Sequence, residues 1–249
     1  MASVKDKVWN ILVTLSTVLP KSVRNQMCRL ILSAYGAQAD KTIALRDLFS
    51  LKDCLDYHLD QVAIQYGKGI HPKHVLMNYH RFFCERILPS SSVLDVGCGY
   101  GVVAASMVQT GAKVTGIDLS AESIDDANLR YKAGNIRFVV GDATRDLPDE
   151  KYDVIVLSNV LEHISDRKAL LLRLVGKYSP EKILVRVPMV NRDWSVMMKK
   201  ELGMQYFSDP THCIEYTEES FIEEMNNASL KVIHLEIKWG EIWAELVAR

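Results

Sequence analysis

The stretch Val93-Leu94-Asp95-Val96-Gly97-Cys98-Gly99-Tyr100-Gly101 joins a short apolar run to a glycine-rich turn. This order predicts a buried strand that enters a tight turn and opens a helix, because glycines let the backbone turn sharply and approach a ligand closely. The dinucleotide fingerprint is GxGxxG, whereas here the third glycine comes one residue early. Asp95 would repel a diphosphate but stabilise a ligand ammonium group. The turn therefore favours a cationic, amino-acid-like ligand over a dinucleotide.

Beyond residue 90, short runs of Val, Ile and Leu alternate with longer amphipathic segments. Such continuously apolar runs are typical of strands that helices cover on both faces, and hence of a parallel sheet. The predicted strands are 92–96, 113–117, 136–140, 152–157 and 182–187, with helices at 100–110, 120–132, 165–178 and 217–228.

The last two apolar runs, 230–238 and 241–247, are separated only by Gly240. So short a link permits only an antiparallel hairpin. The sequence therefore predicts an α/β fold with a doubly wound, seven-stranded, mostly parallel sheet and an antiparallel last strand. Residues 188–216, which precede the helix 217–228, are mixed in character and predict an insert in this core.

The first 89 residues show helical periodicity throughout. We expect helices at 7–19, 21–34, 41–66 with a break near Ser50, and 72–87. The predicted organisation is a helical N-terminal cap or extension over 1–89 and a ligand-binding core over 90–249.

Composition limits the partners, the kinds of site and the cellular compartment that we expect for this protein. Apolar residues make up 48% and charged residues 24%, and the net charge is −1, so no global basic field exists to hold nucleic acid. The five cysteines are odd in number and never form a CxxC pair. We therefore expect no nucleic-acid partner, no disulfide framework, no zinc site and a reducing, cytoplasmic location.

Residues 1–35 carry five Lys or Arg residues against Asp6 alone, and an apolar helical face runs over 8–19. That run is too short to cross a bilayer. Two interpretations stay open. The helix packs on its own domain or forms a homodimer contact, or it makes a peripheral contact with a membrane surface.

Three further motifs follow the glycine turn in order: residues 114–120 (VTGIDLS), 138–143 (FVVGDA) and 152–163 (YDVIVLSNVLEH). Together with the turn they resemble the motifs of the class I, Rossmann-like S-adenosylmethionine-dependent methyltransferases of small-molecule type. The resemblance covers roughly residues 90–240. It implies S-adenosyl-L-methionine as cofactor and S-adenosyl-L-homocysteine as product.

The resemblance also implies roles for individual residues. Asp118 would accept hydrogen bonds from the ribose hydroxyls, Asp142 would hold the adenine amino group, and the next backbone amide would hold a ring nitrogen. The residues expected to bind the cofactor are Asp95, Gly97, Cys98, Gly99, Gly101, Asp118, Leu119, Asp142, Ala143 and Asn159.

Two histidines are candidates for the proton acceptor that an alcohol substrate needs. His163 follows the fourth strand, and His212 lies in a His-x-x-x-Tyr segment similar to one that follows the fifth strand in small-molecule members. The alternatives are a cofactor contact for His163 and a structural contact for His212. The acceptor is expected to contact Tyr66, His71, His74 and Tyr216. His71 and His74 lack a clear third ligand, so no metal is expected.

The leading functional hypothesis is methyl transfer to a polar small molecule, with a hydroxyl of a sugar or glycan precursor as the preferred acceptor. A second hypothesis is a protein or RNA methyltransferase that docks its substrate on the N-terminal helices. A third is a non-catalytic, cofactor-binding partner subunit. An NAD-dependent oxidoreductase is disfavoured by the glycine spacing and the antiparallel tail.

Overall fold

A computed structural model of the chain describes residues 4–249, with side-chain detail from residue 11 onward. The chain forms two compact units that divide between His71 and Pro72. The residues between this division and residue 90 therefore group with the sheet. The functional domain boundary at 89/90 stays a prediction.

The smaller unit is helical, as the periodicity predicts. It contains α1 (Val4–Thr17), α2 (Lys21–Gly36) and α3 (Lys41–Tyr66), and α2 lies against α3. The Asp40 side chain caps α3 by accepting from the backbone N–H of Thr42 at 2.8 Å. The predicted break near Ser50 is wrong, because the Ser50 hydroxyl donates to the Arg46 carbonyl at 3.0 Å within an uninterrupted helix.

The larger unit holds a single seven-stranded sheet in the order β3-β2-β1-β4-β5-β7-β6. Strands β1 to β5 run parallel, and β7 runs antiparallel to both β5 and β6. The predicted doubly wound, mostly parallel sheet is confirmed. The strands are β1 (Ser92–Val96), β2 (Lys113–Asp118), β3 (Ile136–Val140), β4 (Val154–Ser158), β5 (Lys182–Pro188), β6 (Leu230–Lys238) and β7 (Glu241–Ala248).

Helices cover both faces of this sheet, and alternate strand residues point to opposite cores. Leu94 belongs to one buried cluster with Leu171 and Phe221, whereas its neighbour Val93 belongs to the other with Phe83. The remaining α-helices are α4 (Lys73–Met77), α5 (Tyr79–Cys84), α6 (Val102–Val108), α7 (Ala121–Arg130), α8 (Arg167–Tyr178), α9 (Trp194–Glu201) and α10 (Glu218–Asn227), and a short 3-10 helix covers Leu161–His163.

Two local predictions need correction. The expected helix at 72–87 is split into α4 and α5, because Asn78 has the left-handed conformation (φ 49°, ψ 35°) that ends one helix and starts the next. The insert contains a helix, α9, that periodicity did not predict, and Asp193 caps it. The ends of the insert are held together by a bridge between Met189 and Tyr216.

Candidate active site

The glycine turn after β1 requires glycine at the positions that carry the motif. Gly97, Gly99 and Gly101 all have positive φ, between 50° and 76°. A Cβ at Gly97 would lie 2.7 Å from Val160 Cγ2, and one at Gly101 would lie 2.5 Å from Phe138 Cζ. The backbone therefore passes closer to its neighbours than any other residue allows.

Asp95 lies directly before this turn and is 1% exposed. Its Oδ2 has no hydrogen-bond partner. Burial, together with the nearby Asp118 carboxylate, raises the pKa of the Asp95 carboxyl to about 8, although a hydrogen bond from the Ala104 backbone acts against this rise. A buried acceptor without a partner fits the ammonium group of an amino-acid-like ligand.

A cavity of about 290 Å³ opens beside the turn, at the carboxyl ends of β1, β2 and β4. This is the edge where open α/β sheets bind ligands. We call it the Asp118 cavity. Its lining includes six of the residues predicted to bind the cofactor, namely Gly97, Asp118, Leu119, Asp142, Ala143 and Asn159.

The two acids of the Asp118 cavity are held by backbone amides. Asp118 accepts from the N–H of Gly99 at 2.8 Å and from that of Ser120 at 2.9 Å. Asp142 accepts from the Thr144 hydroxyl at 2.6 Å and from its N–H at 2.9 Å, and these bonds lower the pKa of Asp142. A carboxylate has about four acceptor positions, so both acids keep capacity for ligand hydroxyl or amino groups.

A second cavity, also of about 290 Å³, lies next to the insert, and we call it the His212 cavity. Asn159 lines both cavities. It has a left-handed backbone (φ 56°), and its N–H donates to the Arg186 carbonyl at 2.8 Å. The lining of the His212 cavity also includes Lys73, His74, Arg186, Arg192, Ser208, Trp239 and Glu241.

His212 is oriented by a buried carboxylate. Its Nδ1 lies 3.0 Å from Oε1 of Glu215, whose side chain is fully buried. Burial would raise the pKa of Glu215, but hydrogen bonds from Ser208 and Arg192 outweigh it and lower that pKa. An ionised carboxylate can only accept, so Nδ1 of neutral His212 carries the proton and Nε2 is left as the acceptor.

His163, like His212, is held by a hydrogen bond at its Nδ1, but the partner is a hydroxyl group. Its Nδ1 lies 2.9 Å from the Thr211 hydroxyl, which itself donates to Asp209 at 2.6 Å. The hydroxyl therefore accepts from His163, whose Nε2 is left as an acceptor. Burial and the proximity of His212 lower the pKa of His163, which keeps the ring neutral. His163 lines the Asp118 cavity.

The two histidine rings connect the cavities. Their centroids are 4.6 Å apart with an edge-to-face angle of 77°. His163 lines the Asp118 cavity and His212 lines the His212 cavity. A ligand in one cavity would thus lie beside a ligand in the other, which is the arrangement that a group transfer requires.

Glu162 lies in the fourth-strand motif, but it is not among the site residues predicted from the sequence. It is 0% exposed, and neither carboxyl oxygen has a hydrogen-bond partner. Burial raises the pKa of Glu162 to about 8. Glu162, His163 and His212 each offer one ligand atom within 4.8 Å of the others. A carboxylate with two imidazoles suits a divalent transition metal, and the expectation that no metal binds stays a prediction.

The other predicted site residues lie in several places. His74 lines the His212 cavity, and its Nδ1 contacts the Tyr79 hydroxyl at 2.7 Å. Tyr66 is 85% exposed at the end of α3, and His71 pairs with Asp60 at 3.1 Å, both in the smaller unit.

Tyr216 is fully buried and donates to Glu224 at 2.9 Å. Its place in the core, outside the lining of both cavities, does not support the predicted acceptor contact. Cys98 is also buried, with its thiol on the β2 side of the turn near Gly116, and burial raises the pKa of that thiol.

The His212 cavity contains an ion pair that was not predicted from the sequence. Arg186 binds Glu241 with two hydrogen bonds, at 2.6 and 2.7 Å. Its guanidinium also lies 3.8 Å from the Tyr79 ring centroid. The available signal was a single arginine inside the apolar part of strand β5, residues 183–188. A lone charge in a buried strand needs a partner, and its partner follows 55 residues later in the chain.

Comparison with known proteins agrees with this geometry. Residues 71–235 match a family model described as a methyltransferase domain. Among solved structures, a magnesium protoporphyrin IX methyltransferase from Synechocystis, with bound S-adenosylhomocysteine, has a TM-score of 0.57 and 20% identity over 84% of this chain and all of that one. A glycopeptide N-methyltransferase in complex with S-adenosylmethionine has a TM-score of 0.54 and 16% identity, over 70% and 94% of the two chains. At such identities these two show the fold alone.

Curated relatives match over part of the chain. A ubiquinone biosynthesis O-methyltransferase of Bradyrhizobium sp. (strain ORS 278) is 31% identical over 116 residues, which are 46% of either chain. An uncharacterized methyltransferase of Mycobacterium bovis is 36% identical over 104 residues, 41% of this chain and 53% of that one. The chain thus aligns with about half the length of these relatives. The matched domain, the strand order and the glycine turn together show that this chain belongs to the methyltransferase-domain family of class I, Rossmann-like S-adenosylmethionine-dependent methyltransferases.

Proposed function

We propose that this protein transfers a methyl group from S-adenosylmethionine to a hydroxyl of a polar small molecule, with a sugar or glycan precursor as the first class to examine. The observation that carries this proposal is the junction of two cavities. Asn159 lines both of them, and the two histidines that contact each other line one each.

The Asp118 cavity is proposed to hold the cofactor. Asp95 offers a buried acceptor to an ammonium group, Asp118 offers free acceptor positions to ribose hydroxyls, and Asp142 with Ala143 would hold adenine. The cofactor, when bound, supplies a methyl group on a sulfonium, which is an excellent leaving group. The protein therefore contributes mainly by orienting the reactants and excluding water.

His212 is proposed as the proton acceptor for the substrate hydroxyl. Glu215 holds the ring with its Nε2 unprotonated, as a general base requires. The side chain of His212 is only 6% exposed, so bulk water has little access to it. His163 has the same tautomer and would act at the cofactor side of the junction.

The lining of the His212 cavity supports a polar acceptor. Arg186, Arg192, Ser208 and Glu241 line it with charged and hydroxyl groups, whose remaining donor and acceptor positions suit an acceptor that carries hydroxyl groups. The name of the Bradyrhizobium relative, an O-methyltransferase, supports transfer to oxygen.

Cofactor binding is tested by calorimetric titration with S-adenosylmethionine and S-adenosylhomocysteine, with NAD as the control ligand. We expect one-to-one binding of the two sulfur ligands, weakened at least about tenfold by Asp118→Ala, because a hydrogen bond to a charged group contributes about 1.5–3 kcal/mol. A folded protein that binds neither sulfur ligand would refute the proposal. Binding of NAD instead would identify an oxidoreductase.

The acceptor class is tested by incubating the protein with methyl-labelled cofactor and two panels of acceptors, sugar hydroxyls and phenol hydroxyls. An alcohol needs proton removal far more than a phenol, whose pKa is about 10. We expect labelled sugar products, with His212→Ala reducing their formation strongly. Label on phenols alone would keep the methyltransferase but reject the sugar class.

A further inference from the structure

From Ile11 onward, most apolar side chains of the first two helices of the smaller unit are exposed to solvent. In α1, Ile11 and Leu15 are each 59% exposed, and Val18, which follows the helix, is 78% exposed. None of the residues of α2 is buried. Exposed apolar side chains grouped on one helical face mark an interaction surface.

The apolar residues of α2 repeat with helical spacing. Val23, Met27 and Leu30 lie at i, i+4 and i+7 and therefore share one face, where Leu30 is 72% exposed. At 3.6 residues per turn, Arg24 and Arg29 lie at the two flanks of this face, and Lys21 lies further round the helix. Ile11, Leu15 and Val18 share a face in the same way, and we call these three residues together with Val23, Met27 and Leu30 the α1–α2 surface.

The charge around this surface has one sign. No Asp or Glu occurs from residue 7 to residue 39. Lys21, Arg24 and Arg29 of α2 are all exposed. The chain as a whole is nearly neutral, with a net charge of −1. The positive charge is therefore concentrated beside the exposed apolar face.

We propose that the α1–α2 surface binds the surface of an anionic lipid bilayer. Apolar side chains would enter the boundary between headgroups and acyl chains while the flanking bases contact lipid phosphates. Pairing of two copies through α2 would instead bring like charges together, because no acid occurs between residue 7 and residue 39 to compensate them. Among the described residues no helix is long and apolar enough to span a bilayer.

The test is co-sedimentation of the full chain with vesicles of phosphatidylcholine alone or mixed with phosphatidylglycerol. We expect binding to the anionic vesicles, weaker binding to the neutral ones, and loss of binding as salt rises. The triple variant Lys21→Glu, Arg24→Glu, Arg29→Glu should bind anionic vesicles at least about tenfold more weakly, since each base near the surface contributes on the order of 1 kcal/mol.

The matched control reverses three exposed bases of the larger unit, Lys132→Glu, Lys168→Glu and Lys231→Glu. It changes the net charge equally and should bind vesicles much as the wild type does. Circular dichroism checks that both variants keep their helices. The proposal is overturned if the wild type does not bind anionic vesicles, if salt does not change its binding, or if both variants lose binding equally. A dimer in sedimentation velocity that binds no vesicles would also overturn it. None of these outcomes depends on methyl transfer.

Discussion

At the scale of single residues, the protonation state of Asp95 should change when the cofactor binds. Its pKa of about 8 means that the carboxyl is largely protonated near neutral pH in the ligand-free protein. An ammonium group bound beside it would favour the carboxylate and lower that pKa. Binding of the cofactor should therefore release a proton from Asp95.

We predict that the enthalpy of S-adenosylmethionine binding near pH 7 depends on the ionisation enthalpy of the buffer. The apparent affinity for S-adenosylmethionine should rise with pH up to about 8. At higher pH a smaller fraction of the protein must release the Asp95 proton when the ammonium group binds. In Asp95→Asn, proton release should be smaller and this pH dependence flatter. Identical proton release in wild type and variant would contradict the assignment.

His212 is predicted to be the general base. His212→Ala should lower kcat on an alcohol acceptor by about 10²–10⁴-fold, because that is the usual contribution of a positioned base. The affinity for S-adenosylmethionine should stay the same, since His212 is not part of the Asp118 cavity lining.

The control for that prediction is His234→Ala. His234 lies on β6 with a side chain that is 44% exposed, outside the lining of both cavities. Its turnover should match that of the wild type. Unchanged kcat in His212→Ala would remove His212 from the mechanism.

At the scale of structural elements, alanine substitutions at two glycines should change the free energy of unfolding in opposite directions. Gly101→Ala should lower the free energy of unfolding by about 1–3 kcal/mol, because the residue has φ 76° and a Cβ would meet Phe138 at 2.5 Å. Gly176→Ala in α8 should raise it by about 0.5–1 kcal/mol, because nothing lies within 4 Å and alanine favours the helix. Urea unfolding of both variants checks the pair. Equal effects would contradict the account of the turn.

The ion pair between β5 and β7 makes a second prediction at this scale. Arg186 and Glu241 have side chains 8% and 12% exposed. Glu241→Ala should cost about 3–5 kcal/mol of unfolding free energy, because it leaves a buried guanidinium without its partner. The double variant Arg186→Met, Glu241→Met should recover most of this loss.

The control is Asp56→Ala, which removes an exposed pair with Lys52 on α3. It should change the unfolding free energy by less than about 1 kcal/mol. If Glu241→Ala is as mild as this control, the cross-strand pair does not stabilise the sheet.

At the scale of the whole molecule, all residues that line the Asp118 cavity lie in the larger unit. Saturating S-adenosylmethionine should therefore slow amide hydrogen exchange most in the turn 97–101 and in the segment 159–163. At about one hundred times Kd, the ligand should add about 2.7 kcal/mol to the unfolding free energy. Protection centred on α1–α3 instead would place the cofactor elsewhere.

Several features could be read from the sequence because they depend on neighbours along the chain. The strands, the glycine turn and the acid at the end of β2 follow from local apolar runs and from the backbone freedom of glycine. Errors occurred where local signals were weak. Asn78 adopts a left-handed conformation that splits a predicted helix, and α9 lies in a segment without clear periodicity.

The sequence by itself determined the fold class, the family and the residues around the Asp118 cavity, because their motifs are contiguous and their spacing follows from strand and helix length. Only the tertiary structure decided which side chains meet where the Asp118 and His212 cavities join. It brought His163 against His212, placed Glu215 on His212, paired Arg186 with Glu241 and moved Tyr216 into the core. These contacts join residues far apart in the chain, and burial with hydrogen bonding sets protonation states that no local pattern specifies.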